Sequence, residues 1–527
     1  MTIPFIIAAV VIPFVCEMLA VRLPGQTGRG AIFYVLSLLM GALVYAGFLI
    51  VTAHPYLALV GSAFYYFGLT AISNKKYQVL RDPFNAHDFD NARHLYIYPE
   101  FYISYVGWPI LALIMLLLVV LIGSSLAFEP AIPLYGLGPW YLVWPLSLLL
   151  WVVALRLVGK IITQIFNEKT AGTYGVTMDL QRDVARLGLF PTILIYRLLL
   201  KTTIDKTELR TVPRTAVVKT GHKTDKPADI IAIQGESFFN LERIFEKIDK
   251  TATWEPLRAL ERAGVATGQI DVPTHGAYTM QSEFSFLSGL AGGSLGIDQI
   301  NPYMRLAQKP VSTFVSALQQ AGYRTLCIHP AKREFFRRST VMQNLGFDEF
   351  IGLEAFEGAE KFGKYISDKA LGDKIEETVA AHHAESNQPI FIFAITIESH
   401  GPWATGRLDP YLTDGKTEAD LLRSNIADDP EFHLYQMHME NLLALYHRLS
   451  IGAAAADTGR TLDTGRIVAL YGDHLPAINA LFEATGFTDR AVDYLLWNSR
   501  TPVSDAGFQK IEGFAETMLA EAGIQLK

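Results

Sequence analysis

Long apolar runs and short ones divide the chain into two textures. Residues 3–21, 31–51, 56–72, 108–128 and 140–158 are almost continuously apolar. Each run is near the ~20 residues that carry a helix across a bilayer, so the pattern predicts five membrane-spanning helices. Tyr105, Trp108, Trp140 and Trp144 fall at span ends, where aromatic rings favour the headgroup zone. Met1 to Pro4 carries no basic residue, and Glu17 and Met18 stand where signal cleavage needs small side chains. The first span therefore reads as a retained helix.

Residues 178–200 mix Arg182, Arg186 and Arg197 with Leu, Ile and Phe at helical spacing. That pattern fits an interfacial helix and a helix packed on the α/β domain that follows equally well. Residues 202–226 are polar, rich in Lys and Thr, and contain Pro213, the texture of an exposed linker. Beyond Ala228 the apolar runs shorten to 230–233, 324–328, 390–397 and 467–470, with amphipathic segments such as 311–321 and 432–449 between them. Runs apolar on both faces, alternating with helices, imply an α/β domain with a mostly parallel sheet covered by helices on both faces. The predicted organisation is a transmembrane α-helical domain over 1–160, a juxtamembrane connector over 161–226 and the α/β domain over 227–527.

Composition agrees with a partly membrane-embedded protein. Of 527 residues, 50% are hydrophobic and 18% charged, against about 25% charged in soluble domains. A net charge of −7 argues against a nucleic-acid-binding surface. The only cysteines, Cys16 and Cys327, cannot make a disulfide framework. Arg22, Arg29, Lys75, Lys76, Arg81, Arg93 and Lys160 all lie in loops on the side of the C-terminal domain, and the opposite loops carry no Lys or Arg. The positive-inside rule then places that domain in the cytoplasm.

Ligand sites in such sheets lie beyond the carboxyl ends of the strands. One predicted strand runs into Gln234-Gly235-Glu236-Ser237, another into His329, a third into Glu398-Ser399-His400-Gly401-Pro402 and a fourth into Tyr471-Gly472-Asp473-His474. Carboxylates at one strand end and an Asp-His pair at another suit one divalent ion, Mn²⁺, Mg²⁺ or Zn²⁺. An isolated Asp-His pair is ordinarily a surface loop, and a lone Glu a cap or an ion-pair partner. It is their joint occurrence at successive strand ends that points to a site.

Glu236-Ser237-Phe238, Thr279-Met280-Gln281-Ser282-Glu283-Phe284, His400-Gly401-Pro402 and Gly472-Asp473-His474, in that order, resemble the lipoteichoic acid synthase branch of the alkaline phosphatase and sulfatase superfamily. The resemblance spans the α/β domain and implies that superfamily's fold. It also implies a metal held by Glu236, Thr279, Asp473 and His474, most simply Mn²⁺, with Thr279 as nucleophile. A divalent ion at Oγ would make this weak nucleophile effective; the plainer reading is that Thr279 caps a helix over 283–290. In the segment from His329 to Arg338, the resemblance assigns His329, Phe336 and Arg338 to a phosphoglycerol pocket, where Arg338 would grip phosphate in bidentate fashion. Arg337 and Arg338 also read as a solvated face. Phe336 stands where the family often has Trp, which keeps the apolar wall but drops an indole N–H. His400 matches a substrate-side histidine, an acid or base because its ordinary pKa is near neutrality. His275 reads as a loop histidine.

The implied activity is a membrane-anchored phosphoglycerol transferase. Its donor would be phosphatidylglycerol and its acceptor a hydroxyl on a cell-envelope glycan or polymer. The α/β domain would face outside the cytoplasm, against the Lys/Arg count. A phosphoethanolamine transferase or a phosphodiesterase shares the same core. A sulfatase would need a Cys/Ser-x-Pro-x-Arg nucleophile motif, which this chain lacks. A catalytically silent membrane sensor would have no use for all four ligand types.

Overall fold

The computed structural model describes residues 3–24, 28–91, 108–129, 139–166, 176–201, 214–218, 226–413, 416–421, 429–453, 465–503 and 507–527. The chain forms two compact units, Met1–Ile204 and Asp205–Lys527. The expectations placed on Tyr105, on Arg93 and on most of the 202–226 linker lie outside the described residues.

The first unit is helical. The five apolar runs are the helices α1 (Ile3–Leu19), α2 (Ala31–Thr52), α3 (Pro55–Leu80), α4 (Trp108–Phe128) and α5 (Trp140–Ile165). Among the described residues, α2, α3 and the Tyr141–Ile165 part of α5 are long and apolar enough to cross a membrane. Ile3–Leu19 and the Met115–Phe128 part of α4 are apolar but shorter. Helix α3 runs on past the expected end of its span and takes in Lys75 and Lys76. Falling hydropathy ends a span, but a helix ends where its backbone bonds end; here that is Arg81, a C-cap with φ of 52°. Lys75 and Lys76, expected in a loop, therefore lie within the helix. Lys76 is tied to Asp88 at 2.8 Å and Arg29 to Glu17 at 3.2 Å. Trp151 of α5 donates its indole N–H to the Leu43 carbonyl of α2 at 2.9 Å. Gly47 makes room for that ring, since a Cβ there would lie 2.5 Å from it.

The connector forms two helices, α6 (Leu180–Leu187) and α7 (Leu189–Leu200), within this first unit. Gly188, at φ of 92°, breaks them, a conformation that side chains with a Cβ avoid. Most of α7 is buried, but the helices it packs on are α2, α5 and α6 of the first unit, where packing on the α/β domain was expected. Tyr66 meets Phe190 edge to face at 4.7 Å.

The second unit carries an eight-stranded sheet: β1 (Asp229–Gly235), β2 (Ala266–Asp271), β3 (Arg324–Ile328), β4 (Glu349–Ile351), β5 (Ile390–Ile395), β6 (Arg466–Gly472), β7 (Val492–Asn498) and β8 (Gln509–Lys510). The spatial order is β8-β2-β7-β6-β1-β5-β3-β4. From β6 to β4 all neighbours are parallel, and β7 is antiparallel to both its neighbours. All residues of β1, β5 and β6 are buried, as a sheet covered on both faces demands. On one face, Phe286 of α8 (Thr279–Ser288) packs against Phe393 of β5, Tyr471 of β6 and Phe514 of α11 (Ile511–Glu521). On the other, α9 (Asp368–Glu385) and α10 (Pro430–His447) pack together, and Tyr446 of α10 bonds the Val468 carbonyl at 3.1 Å. Ala216–Val218, expected as linker, pairs antiparallel with Ile524–Leu526. Three residues in a polar context are too few for a period-2 pattern to show.

Candidate active site and metal cluster

The site grows from two adjacent strand ends. β1 and β6 are in parallel register with Gln234 opposite Tyr471 and Gly235 opposite Gly472. The next residue on each, Glu236 and Asp473, leaves the sheet beside the other. A glycine is required at 472, because a Cβ there would lie 1.9 Å from the Phe238 carbonyl oxygen. Ser237, at φ of 58°, turns its N–H onto Asp473 Oδ1 at 2.8 Å.

Glu236, Asp473 and His474 bring one ligand atom each within 4.8 Å of the others, and all three are buried. His474 Nε2 lies 3.5 Å from Glu236 Oε1 and 3.4 Å from Asp473 Oδ2. Its Nδ1 lies 3.1 Å from the Leu475 carbonyl. A carbonyl only accepts, so Nδ1 carries the proton and Nε2 presents its lone pair to the carboxylates. Asp473 Oδ2 is buried and accepts no hydrogen bond among the described residues, while Oδ1 is held by Ser237. Burial pushes the Asp473 carboxyl up to about 7; Glu236 pushes the same way, and the Ser237 N–H and the Thr279 hydroxyl oppose it. Two carboxylates and a lone-pair nitrogen crowded together, with one oxygen orphaned, are what a divalent cation relieves. The residues present fit such an ion.

Thr279 opens α8, whose N-cap is Tyr278 in the left-handed region at φ of 65°. No side chain caps this helix end, so the capping role weighed for Thr279 is not the one it plays. The helix also starts four residues before the expected Glu283. Thr279 is half-buried, with its hydroxyl beside the Asp473 carboxylate. One turn on, the Ser282 hydroxyl bonds the Asp473 carbonyl at 2.6 Å and pins the helix to the end of β6. The unbonded N–H groups of a helix's first turn favour anionic charge.

Arg338 is 2% exposed, so the solvated-face reading fails for it and holds for exposed Arg337. Its Nη2 donates to Glu283 Oε2 at 3.0 Å, its Nε reaches Glu283 Oε1 at 3.5 Å and its Nη1 meets His329 Nε2 at 3.3 Å. The fork expected to grip phosphate is thus spent on Glu283, leaving one N–H on each terminal nitrogen. His329 Nδ1 donates to the Ile395 carbonyl at 3.0 Å. Burial, then the Arg338 cation, hold this imidazole well below its ordinary pKa; it is neutral. Phe336 is half-buried at φ of 54°, and the Arg338 guanidinium lies 5.4 Å from its ring centre. His400 is near enough to act electrostatically on His329, and its Nδ1 lies 2.9 Å from the Gly401 carbonyl, which makes Nε2 the basic nitrogen. His275 bonds Asn479 at 2.9 Å and pairs with Leu475. The structure thus joins Glu236, Thr279, Asp473 and His474 in one group and His329, Phe336 and Arg338 in a second, with His400 beside His329.

The family model described as Sulfatase matches residues 229–524. The chain belongs to the sulfatase family. This sulfatase-family chain is similar to the capsular polysaccharide biosynthesis protein RkpI of Rhizobium meliloti (strain 1021), with 27% identity over 467 residues, 86% of this chain and 79% of that one. It is also similar to a protein of the same organism named for cyclic beta-1,2-glucan modification, with 28% identity over 54% of this chain and 40% of that one. Among solved structures, the integral membrane lipooligosaccharide phosphoethanolamine transferase A (EptA) of Neisseria meningitidis covers 98% of this chain and 95% of its own at a TM-score of 0.51 and 14% identity. That likeness is one of fold: a helical membrane unit followed by a sulfatase-type domain.

Two residues of this sulfatase-family site were not singled out from sequence. Ser237 follows a metal-type carboxylate, and its hydroxyl contacts Glu236 Oε1 at 3.1 Å and His474 Nδ1 at 3.4 Å. Glu283 is fully buried under Arg338. Its spacing from Thr279 was the available signal: four residues is one helical turn.

Proposed function

We propose that this protein is a membrane-anchored phosphoglycerol transferase that carries glycerophosphate from phosphatidylglycerol to a hydroxyl of an envelope glycan. The observation that carries the reading is the Thr279 hydroxyl at an uncapped helix start, beside the Asp473 carboxylate in the Glu236–Asp473–His474 cluster. A divalent ion, most simply Mn²⁺, would be held by those three residues and Thr279 Oγ, and would supply the charge that favours the threonine alkoxide and polarises a phosphoryl oxygen. Thr279 Oγ forms a bond to phosphorus as the bond from phosphorus to the diacylglycerol oxygen breaks. The proton leaving Thr279 ends on the diacylglycerol hydroxyl. An acceptor hydroxyl then displaces Thr279 and returns a proton to it. His400 Nε2 is the basic nitrogen suited to take the acceptor's proton. Arg338, with its two remaining N–H groups, and neutral His329 face the phosphate, and Phe336 forms the wall beside them. The names of the two Rhizobium relatives support a capsular or glucan acceptor. Membrane spans support a lipid donor, since they hold the unit close to a bilayer.

The test is incubation of the full-length protein with phosphatidylglycerol or phosphatidylethanolamine labelled in the headgroup. Label reaching Thr279 and then a glycan from phosphatidylglycerol supports the reading. Label from phosphatidylethanolamine alone overturns the donor, and labelled glycerophosphate released to water overturns transfer.

The same reading places the sulfatase-type domain outside the cytoplasm, because donor lipid and envelope acceptor meet there. Cys16 and Cys327 are buried, so a single cysteine introduced in 202–226 reports sidedness. Labelling of intact cells by an impermeant thiol reagent is the expected result; labelling only after permeabilisation would put the domain inside, as the Lys/Arg count has it.

A further inference from the structure

Beneath the carboxylate cluster lies a second polar layer at fixed offsets from the first. Residues two apart on a strand share a face, and residues four apart on a helix share a side. Gln234 stands two before Glu236, Tyr471 two before Asp473, and Glu283 four after Thr279. The Tyr471 hydroxyl donates to Gln234 Oε1 at 2.5 Å, and Gln234 Nε2 donates to Glu283 Oε2 at 3.2 Å. The Tyr303 hydroxyl donates to Glu283 Oε1 at 2.5 Å. Arg338 completes the carboxylate's partners. Glu283 and Gln234 are 0% exposed, so this carboxylate is out of reach of bulk solvent.

We infer that Glu283 positions Arg338 and offsets its charge, so that phosphate meets a neutral pair locked to the helix that bears Thr279. The inference rests on the reading of Arg338 as a phosphate ligand. The fork of Glu283 fixes the guanidinium plane and, with His329 on Nη1, leaves one N–H on each terminal nitrogen for a ligand. Because the pair is buried, its charges act on each other and on a nearby anion with little screening. An unpaired Arg338 would hold phosphate more tightly and in a less defined place; paired, it holds phosphate in register with Thr279 and lets the product go. Binding that is tighter in the ground state but not in the transition state does not speed a reaction.

Inorganic phosphate, titrated calorimetrically into the full-length metal-loaded protein, reads Arg338 without reference to the lipid donor. Glu283→Gln should tighten phosphate binding about five-fold or more, on the scale of one hydrogen bond to a charged group, while kcat falls ten-fold or more. Both changes should vanish when Arg338→Ala is the background. Unchanged or weaker phosphate binding in Glu283→Gln, or changes that survive in Arg338→Ala, would overturn the inference. If Glu283→Gln does not fold, Tyr303→Phe decides. It strips one donor from Glu283, leaves more of the carboxylate's charge to oppose phosphate, and should weaken binding about three-fold; unchanged or tighter binding overturns the inference. Wild-type protein that binds phosphate through Arg338 yet leaves phosphatidylglycerol intact would refute the donor and leave the role of Glu283 standing.

Discussion

Two halves of one site have been built in opposite ways. On the side of β1 and β6, the Glu236–Asp473–His474 cluster is incomplete: Asp473 Oδ2 has no hydrogen-bond partner among the described residues, and burial raises its carboxyl to about 7. On the side of Arg338, Glu283 and His329, each charged or polar side chain has a partner within the protein. The difference teaches which half has ligand atoms left over that could hold a cation. Like charges crowded in a buried cluster are relieved by a bound proton or by a cation, whereas a buried ion pair needs no guest but suffers badly if one member is removed.

The largest expected effect lies on the incomplete half. Thr279→Ala should cut diacylglycerol release by at least about 10³-fold, as for other residues acting as a unit with their partners, while phosphate still binds. Near wild-type release would mean that the orphaned cluster serves another nucleophile. The complete half should show its largest effect in stability. Arg338→Ala leaves the Glu283 charge uncompensated and should cost about 3–5 kcal/mol, measured as the shift in urea unfolding. A loss under 1 kcal/mol would erase the contrast drawn above.

Ser237→Ala sharpens the contrast at the cluster. It keeps the N–H that holds Asp473 but removes the hydroxyl beside Glu236 and His474. Ion affinity should fall about 10–100-fold, the usual cost of an outer partner of a metal ligand, with unfolding little changed; a competitive chelator titration measures it. The smallest effect is a pH slope from His329. Its pKa is depressed in the folded state, so below about 6.5 the unfolded chain takes up a proton that the folded protein refuses. Stability is therefore full above that pH and falls by about 1.4 kcal/mol per pH unit below it, until the folded pKa is reached. His329→Asn should lack this part of the slope in unfolding curves from pH 7 to 5. Equal slopes would mean that His329 is charged in the fold.

Much of the candidate site was legible because strand ends print their chemistry in short runs. Gln234-Gly235-Glu236-Ser237 and Tyr471-Gly472-Asp473-His474 mark two strand ends by an apolar run followed by a glycine and a carboxylate. Four strands did not show: β4 has three residues and β8 two, shorter than any period can resolve, while β2 is half-buried and carries Thr267, Gln269 and Asp271, and β7 carries Asp493 and Asn498. The membrane helices were legible in place but not in length, since Lys75 and Lys76 extend α3 beyond its apolar stretch. Arg338 was seen as a phosphate grip. Its fork was already taken by a residue 55 positions away, and no local pattern reports such a partner.

What the amino-acid order determined by itself was local and periodic: five apolar helices, a buried mostly parallel sheet, and a polar group at the ends of four of its strands. Those features depend on burial and on backbone periods of 2 and 3.6, which are written along the chain. Only the tertiary structure decided which strand ends are neighbours, that Thr279 starts a helix instead of capping one, that Ser237 aims Asp473, and that Glu283 owns the fork of Arg338. These are pairings over long stretches of chain, and their energy exists only once the sheet has closed the distance between them.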